Sequence, residues 1–198
     1  MAGLGEDTVR RMLSSHPRNN ETPLHVLERV AAPDSVQAII GRYWAHMAYL
    51  DIGHPKAREA FFENRHRLNF SNLDPMGNQT YRVKPDRQPA YGGANIHPLR
   101  ITGNGAVGIY VGNLGNGLPE SNFTATLAIR SGEDVRYVAL PDGYGEAMIQ
   151  PGEEVSLVVA NTPDTLYQYD AFNSSSSSRE MRGLNYEATL TGAVPANR

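Results

Sequence analysis

Up to about Pro85 the apolar residues of this chain recur at helical spacing. From about Pro98 on they alternate with polar ones, and Gly and Pro punctuate each short run. The change of period predicts an α+β chain: a helical subdomain over 1–68, a connector over 69–96, and an antiparallel β-sandwich over 97–198, jelly-roll-like in its run of short strands.

In the first part, Glu6–Leu13 reads as a helix, and the residue before Pro17 is pushed out of helical conformation, which ends it. Thr22-Pro23 supplies a capping hydroxyl and a first-turn proline for a helix that buries Leu24, Leu27 and Val30. Pro33-Asp34 opens the longest candidate. Its wide face of Val36, Ile39, Ile40, Tyr43, Trp44, Met47 and Leu50 predicts a central helix. Gly53-His54-Pro55 breaks it, and a last helix over Lys56–Leu68 is expected to turn Ala60 and Phe61 inward. The Asn-, Pro- and Gly-rich connector has room for one short strand at Tyr81–Val83.

Strands are expected at His97–Ile101, Val107–Gly112, Asn122–Arg130, Val135–Leu140, Glu146–Ile149, Glu154–Asn161, Leu166–Tyr169 and Tyr186–Thr191. Phe123–Ile129 alternates strictly, so one of its faces is buried. Val155–Ala160 becomes continuously apolar, as a central strand does. Pro141-Asp142-Gly143 and Pro151-Gly152 are turns, and the serine run within Asn173–Ser178 is a loop.

A net charge of −3 argues against a general nucleic-acid binder, which would normally show a basic face, and the clusters Arg10-Arg11 and Arg65-His66-Arg67 read as solvated helix faces. The absence of cysteine excludes disulfides and thiolate chemistry, and no apolar run reaches the ~20 residues of a membrane span. No signal peptide is visible, so the protein is expected to be cytoplasmic if Met1 is the native start, and secreted if the chain is part of a longer precursor.

No catalytic motif is complete. The six histidines include no His-Glu-x-x-His pair. His46, Asp51 and His54 could converge as a weak metal set, but the simpler reading has His46 packing between helices and His54 capping a turn. There is no Gly-x-Ser-x-Gly elbow, and the glycines of Gly103–Gly105 and Gly112–Gly117 precede strands, so they read as hairpin turns. Glu133, Asp134, Asp142, Glu153, Glu154, Asp164 and Asp170 are too dispersed for calcium and read as solvated turn residues. Tyr144, Tyr167, Tyr169 and Asp170 are the candidate binding residues, an aromatic platform for sugar. The alternative for these tyrosines is ordinary rim packing.

Val158–Asp164, Gly183–Tyr186, Leu190–Pro195, Tyr43–Asp51 and Tyr91–Leu99 together resemble the C-terminal part of the DUF6055 family. These are bacterial and fungal secreted proteins that include the Svx- and AvrXca-like virulence and avirulence proteins, regarded as gluzincin-type zinc metallopeptidases. The shared segments are framework patterns. The resemblance implies zinc in the parent proteins, held upstream of the helical segment, so no catalytic residue and no cofactor carries over to this chain. It also implies a non-catalytic C-terminal portion, inactive by itself, whose partner is either the missing N-terminal catalytic region or a surface glycan or protein. A free-standing carbohydrate- or protein-binding module is the alternative. A metal-dependent hydrolase using His46, His54 and Asp51 is the second alternative.

Overall fold

The computed structural model describes residues 6–16, 18, 21–68, 73–167 and 182–196. Helices α1 (Glu6–Ser14), α2 (Pro23–Ala31), α3 (Val36–Met47) and α4 (Pro55–Leu68) precede ten strands: β1 (Leu73–Gly77), β2 (Thr80–Val83), β3 (Ala94–Ile101), β4 (Ala106–Gly115), β5 (Phe123–Ser131), β6 (Asp134–Ala139), β7 (Tyr144–Met148), β8 (Glu154–Asn161), β9 (Asn185–Thr191) and β10 (Ala193–Pro195). The strands form two five-stranded antiparallel sheets, ordered β1-β2-β9-β4-β7 and β10-β3-β8-β5-β6.

The pairs β2–β9, β3–β8, β4–β7 and β5–β6 are nested, and successive pairs fall in opposite sheets. A long hairpin rolled in this way is a jelly roll. The chain passes from one sheet to the other between β9 and β10 at Gly192. Its φ of 72° and an added Cβ's 2.0 Å approach to the Ala106 carbonyl oxygen both require glycine.

Between the sheets lie Val107, Ile109 and Val111 of β4, Leu127 and Ile129 of β5, Val155, Leu157 and Val159 of β8, and Tyr186, Ala188 and Leu190 of β9. The outer face of the β3-β8-β5 sheet is covered in turn by the helices. Ala48 and Tyr49 pack there on Ala128 and Val158, with Trp44, Phe62 and Ile96 around them. Closest approach falls at Gly41, where an added Cβ would stand 2.5 Å from Thr124 Oγ1. The Arg130 guanidinium lies over Phe62 at 4.4 Å and pairs with Glu154 at 3.0 Å. This is the covered sheet. The other, β1-β2-β9-β4-β7, is the open sheet.

Several expectations shift. The stretch read as a connector holds the β1–β2 hairpin, turned at Asn78 and Gln79, both with positive φ, and its Leu73 and Val83 are buried in the sandwich core. Ser35, not Pro33, caps α3, its Oγ accepting from the Ala38 amide. On α3 the contact surface runs through Val36, Ile39, Gly41 and Ala45, and Tyr43 is exposed. On α4, Phe62 packs on the sheet while Ala60 is exposed. Leu166 and Tyr167 lie in a loop, and Gly112–Gly115 belongs to β4. No described helix is long and apolar enough to cross a membrane.

One polar group sits deep in the apolar core. His97 is fully buried on β3, its Nε2 against the Tyr186 hydroxyl, which also accepts from Asn95 Nδ2 at 3.1 Å. Burial holds the imidazole neutral, its pKa lowered from 6.5 to about 3. Between those values the unfolded chain binds a proton that the folded chain refuses, so stability falls as the pH is lowered through this window. The steepest slope expected from His97 is about 1.4 kcal/mol per pH unit. Urea unfolding at successive pH values should show this slope, and His97→Gln, which binds no proton, should lose it.

Candidate functional site

Among the described residues the helices pack on the covered sheet, and none of them lies over the outer face of the open sheet. Of the eight large hydrophobic side chains exposed among the described residues, five come from its strands: Met76, Tyr110, Leu114, Tyr144 and Met148. Register arranges the outer face in rows. Thr80, Thr189, Tyr110 and Tyr144 follow one another across β2, β9, β4 and β7, so the two tyrosines are cross-strand neighbours. The next row toward β4's end holds Glu187 and Gly112, with Glu187 paired to Arg82. On the other side, Thr191, Gly108 and Glu146 form a row.

Two glycines shape this surface. Gly112 leaves room for the Tyr110 ring to lie down along the strand, its Cε1 only 3.5 Å from where a Cβ would stand. Gly108 leaves an open hollow of about 390 Å³, lined by Gly108, Glu146, Met148 and Thr191 among others. Tyr144 donates its hydroxyl to Glu146 Oε1 at 2.8 Å, and that bond raises the phenol's pKa. The face therefore offers an apolar ring surface beside a carboxylate and hydroxyls, all on rigid strands.

Of the tyrosines singled out in the sequence, Tyr144 lies on this face. Tyr167 does not: it is 6% exposed and packs edge-on against Tyr91 at 5.2 Å. Burial in the loop layer next to β8 removes it from any platform. Tyr169 and Asp170 lie outside the described residues. Tyr110 escaped sequence reasoning because nothing local marks it. Only the β4–β7 register places it beside Tyr144.

A second cluster forms where α3 ends against β6. His46 Nδ1 lies 3.4 Å from Asp51 Oδ2 and 2.9 Å from the Asp51 carbonyl oxygen. The Tyr137 hydroxyl donates to Asp51 Oδ2 at 2.8 Å and lies 3.1 Å from His46 Nδ1. Burial first, and then the bond to Asp51, raise the Tyr137 pKa, which keeps the phenol protonated. His54 does not join this cluster, since its Nδ1 accepts the Ala57 amide at the start of α4. Among the described residues no three His, Asp or Glu side chains are placed to share a metal ion, so the set of His46, Asp51 and His54 does not assemble. His46, Asp51 and Tyr137 already satisfy one another, which is the chemistry of a tie between helix and sheet.

A groove of about 800 Å³ at the β3–β4 and β7–β8 turns is lined by Glu153 and Glu154, already paired with Arg136 and Arg130. A smaller cavity beside Tyr167 is also lined by Ser121 and Asn161, and the Oγ of Ser121, Oδ1 of Asn161 and hydroxyl of Tyr167 have no hydrogen-bond partner among the described residues.

The fold and its exposed surface define an antiparallel jelly roll backed by helices on one side, with no described helix on the other. Comparison with known proteins matched the chain to no family model, no curated protein and no solved structure.

Two phenols make opposite stability predictions. Tyr137→Phe strips a donor from the Asp51 carboxylate and is expected to cost about 1–2 kcal/mol. Tyr167→Phe removes a buried hydroxyl without a partner, so stability should hold or rise. Urea midpoints of the two variants against the parent chain measure both.

Proposed function

We propose that this chain is a non-catalytic recognition module that binds an extended glycan across the outer face of its open sheet. The observation that carries the reading is the Tyr110–Tyr144 pair, adjacent, 54% and 56% exposed, on a sheet face that no described helix covers. A sugar ring has an apolar C–H face and a rim of hydroxyls. The first matches a tyrosine ring surface, and the second matches Glu146, Thr189 and Thr191. The resemblance to the DUF6055 proteins would make such a module the accessory portion of a secreted metallopeptidase-like protein. That reading is compatible with the same face presenting a substrate glycoprotein or polysaccharide.

The experiment is retention on insoluble cellulose, xylan and chitin. The parent chain is expected to be retained on at least one of them. Tyr110→Ala and Tyr144→Ala should each weaken retention about tenfold or more, the size of a hot-spot truncation. Tyr43→Ala, which alters an exposed ring on α3, should leave it unchanged. Undiminished retention of the double variant overturns the proposal. So does a parent chain that binds none of these and instead self-associates through Tyr110 in sedimentation analysis.

A further inference from the structure

If the open face binds glycan, its selectivity lies in the hollow at Gly108, and this inference rests on that reading. We infer that the hollow seats one ring of an uncharged chain, with a sugar hydroxyl donating to Glu146, and that it rejects uronic-acid chains. Gly108 and Tyr110 point from the same face of β4 two residues apart, roughly 6.8 Å along the strand. The Tyr110 ring lies the other way, toward Gly112, so a chain that runs along β4 from that ring reaches the hollow with a further ring.

Glu146 stands across the hollow from Thr191, and their strands flank Gly108 on either side. The Tyr144 hydroxyl engages Oε1 of Glu146. The bond fixes the carboxylate at the rim, and Oε2 is the atom placed to accept from a sugar. Such an O–H···O⁻ bond is among the stronger hydrogen bonds. Glu146 is also the one charged group among the described residues that line the hollow. The nearby Arg82 is already paired with Glu187, and Arg136 with Glu153. A carboxylated sugar would meet like charge there with no unpaired cation among the described residues lining the hollow to offset it, whereas a neutral chain meets an acceptor.

The hollow can be filled without disturbing the fold. A Cβ at position 108 would meet only Thr191 Cβ at 3.6 Å and Glu146 Cγ at 3.9 Å, ordinary contacts, and Gly108 is not among the glycines with positive φ. Calorimetric titration with cellohexaose, xylohexaose and hexagalacturonate, beside a melting curve for each variant, tests the inference. The parent chain is expected to bind a neutral hexaose and not hexagalacturonate.

Gly108→Val should weaken neutral binding about tenfold or more at an unchanged melting temperature, with Gly108→Ala intermediate should the valine variant fold poorly. Glu146→Gln should weaken neutral binding about tenfold and narrow the gap to hexagalacturonate. If both Gly108 variants and Glu146→Gln bind as the parent does while Tyr110→Ala does not, the hollow is not a subsite and the recognition face stands. A parent chain that prefers hexagalacturonate likewise overturns the inference. If Tyr110→Ala also binds normally, the recognition face itself falls.

Discussion

Everything in this molecule leans on β8, a strand buried on both faces. Val155, Leu157 and Val159 enter the core between the sheets, while Val158 meets the helices, and every residue from Val155 to Asn161 is buried. Each fully buried Val or Leu contributes about 1.5–3 kcal/mol, so a strand that buries both rows is a large share of the hydrophobic drive. The one hydroxyl on its helical face, Ser156 Oγ, donates to the Tyr49 hydroxyl at 3.3 Å, so the burial leaves that group satisfied. With the helices drawn to β8 and its neighbour β5, no described helix is left to cover the other sheet. The bare face of β9, β4 and β7 follows from how the covered sheet is satisfied.

That asymmetry separates two kinds of polar cluster. His46, Asp51 and Tyr137 lie under the covering layer and spend their hydrogen bonds on each other. His97 and Tyr186 do the same inside the sandwich. On the bare face the hydroxyls and the Glu146 carboxylate stand beside aromatic rings whose outer surfaces meet solvent. Groups that have found partners hold a fold together. Groups left facing outward on rigid strands can recognise something at little ordering cost.

The sequence made the sandwich legible through period. The continuous apolar run of Val155–Ala160 corresponds to a strand packed on both sides; the alternation of Phe123–Ile129 marks the row of β5 in the core, while the small residues of its other row, Thr124 and Ala128, lie under the helices. What it concealed depended on partners distant in the chain. The β1–β2 hairpin has only Leu73 and Val83 fully inward, and its polar turn made the segment look like linker. The strand β10 is three residues long, ends in proline, and exists because β3 offers it an edge. Tyr167 looked like a strand-end platform, but Tyr91, far away in sequence, covers it. Tyr110 looked like one of several tyrosines until register set it beside Tyr144.

A shallow face of this kind has a consequence for how it would act. An open surface buries little of any one sugar ring, so a single contact is weak after its association cost. A repeating chain changes that balance, because each shift by one repeat presents the same rings to the same tyrosines, and attachment to a larger protein raises the local concentration further. The strands supply rigidity and the glycines supply shape, so selectivity has to come from the few polar atoms at the rim. On this face the described rim is the Thr191–Gly108–Glu146 row, and on the proposed reading its single carboxylate would favour hydroxyls over carboxylates.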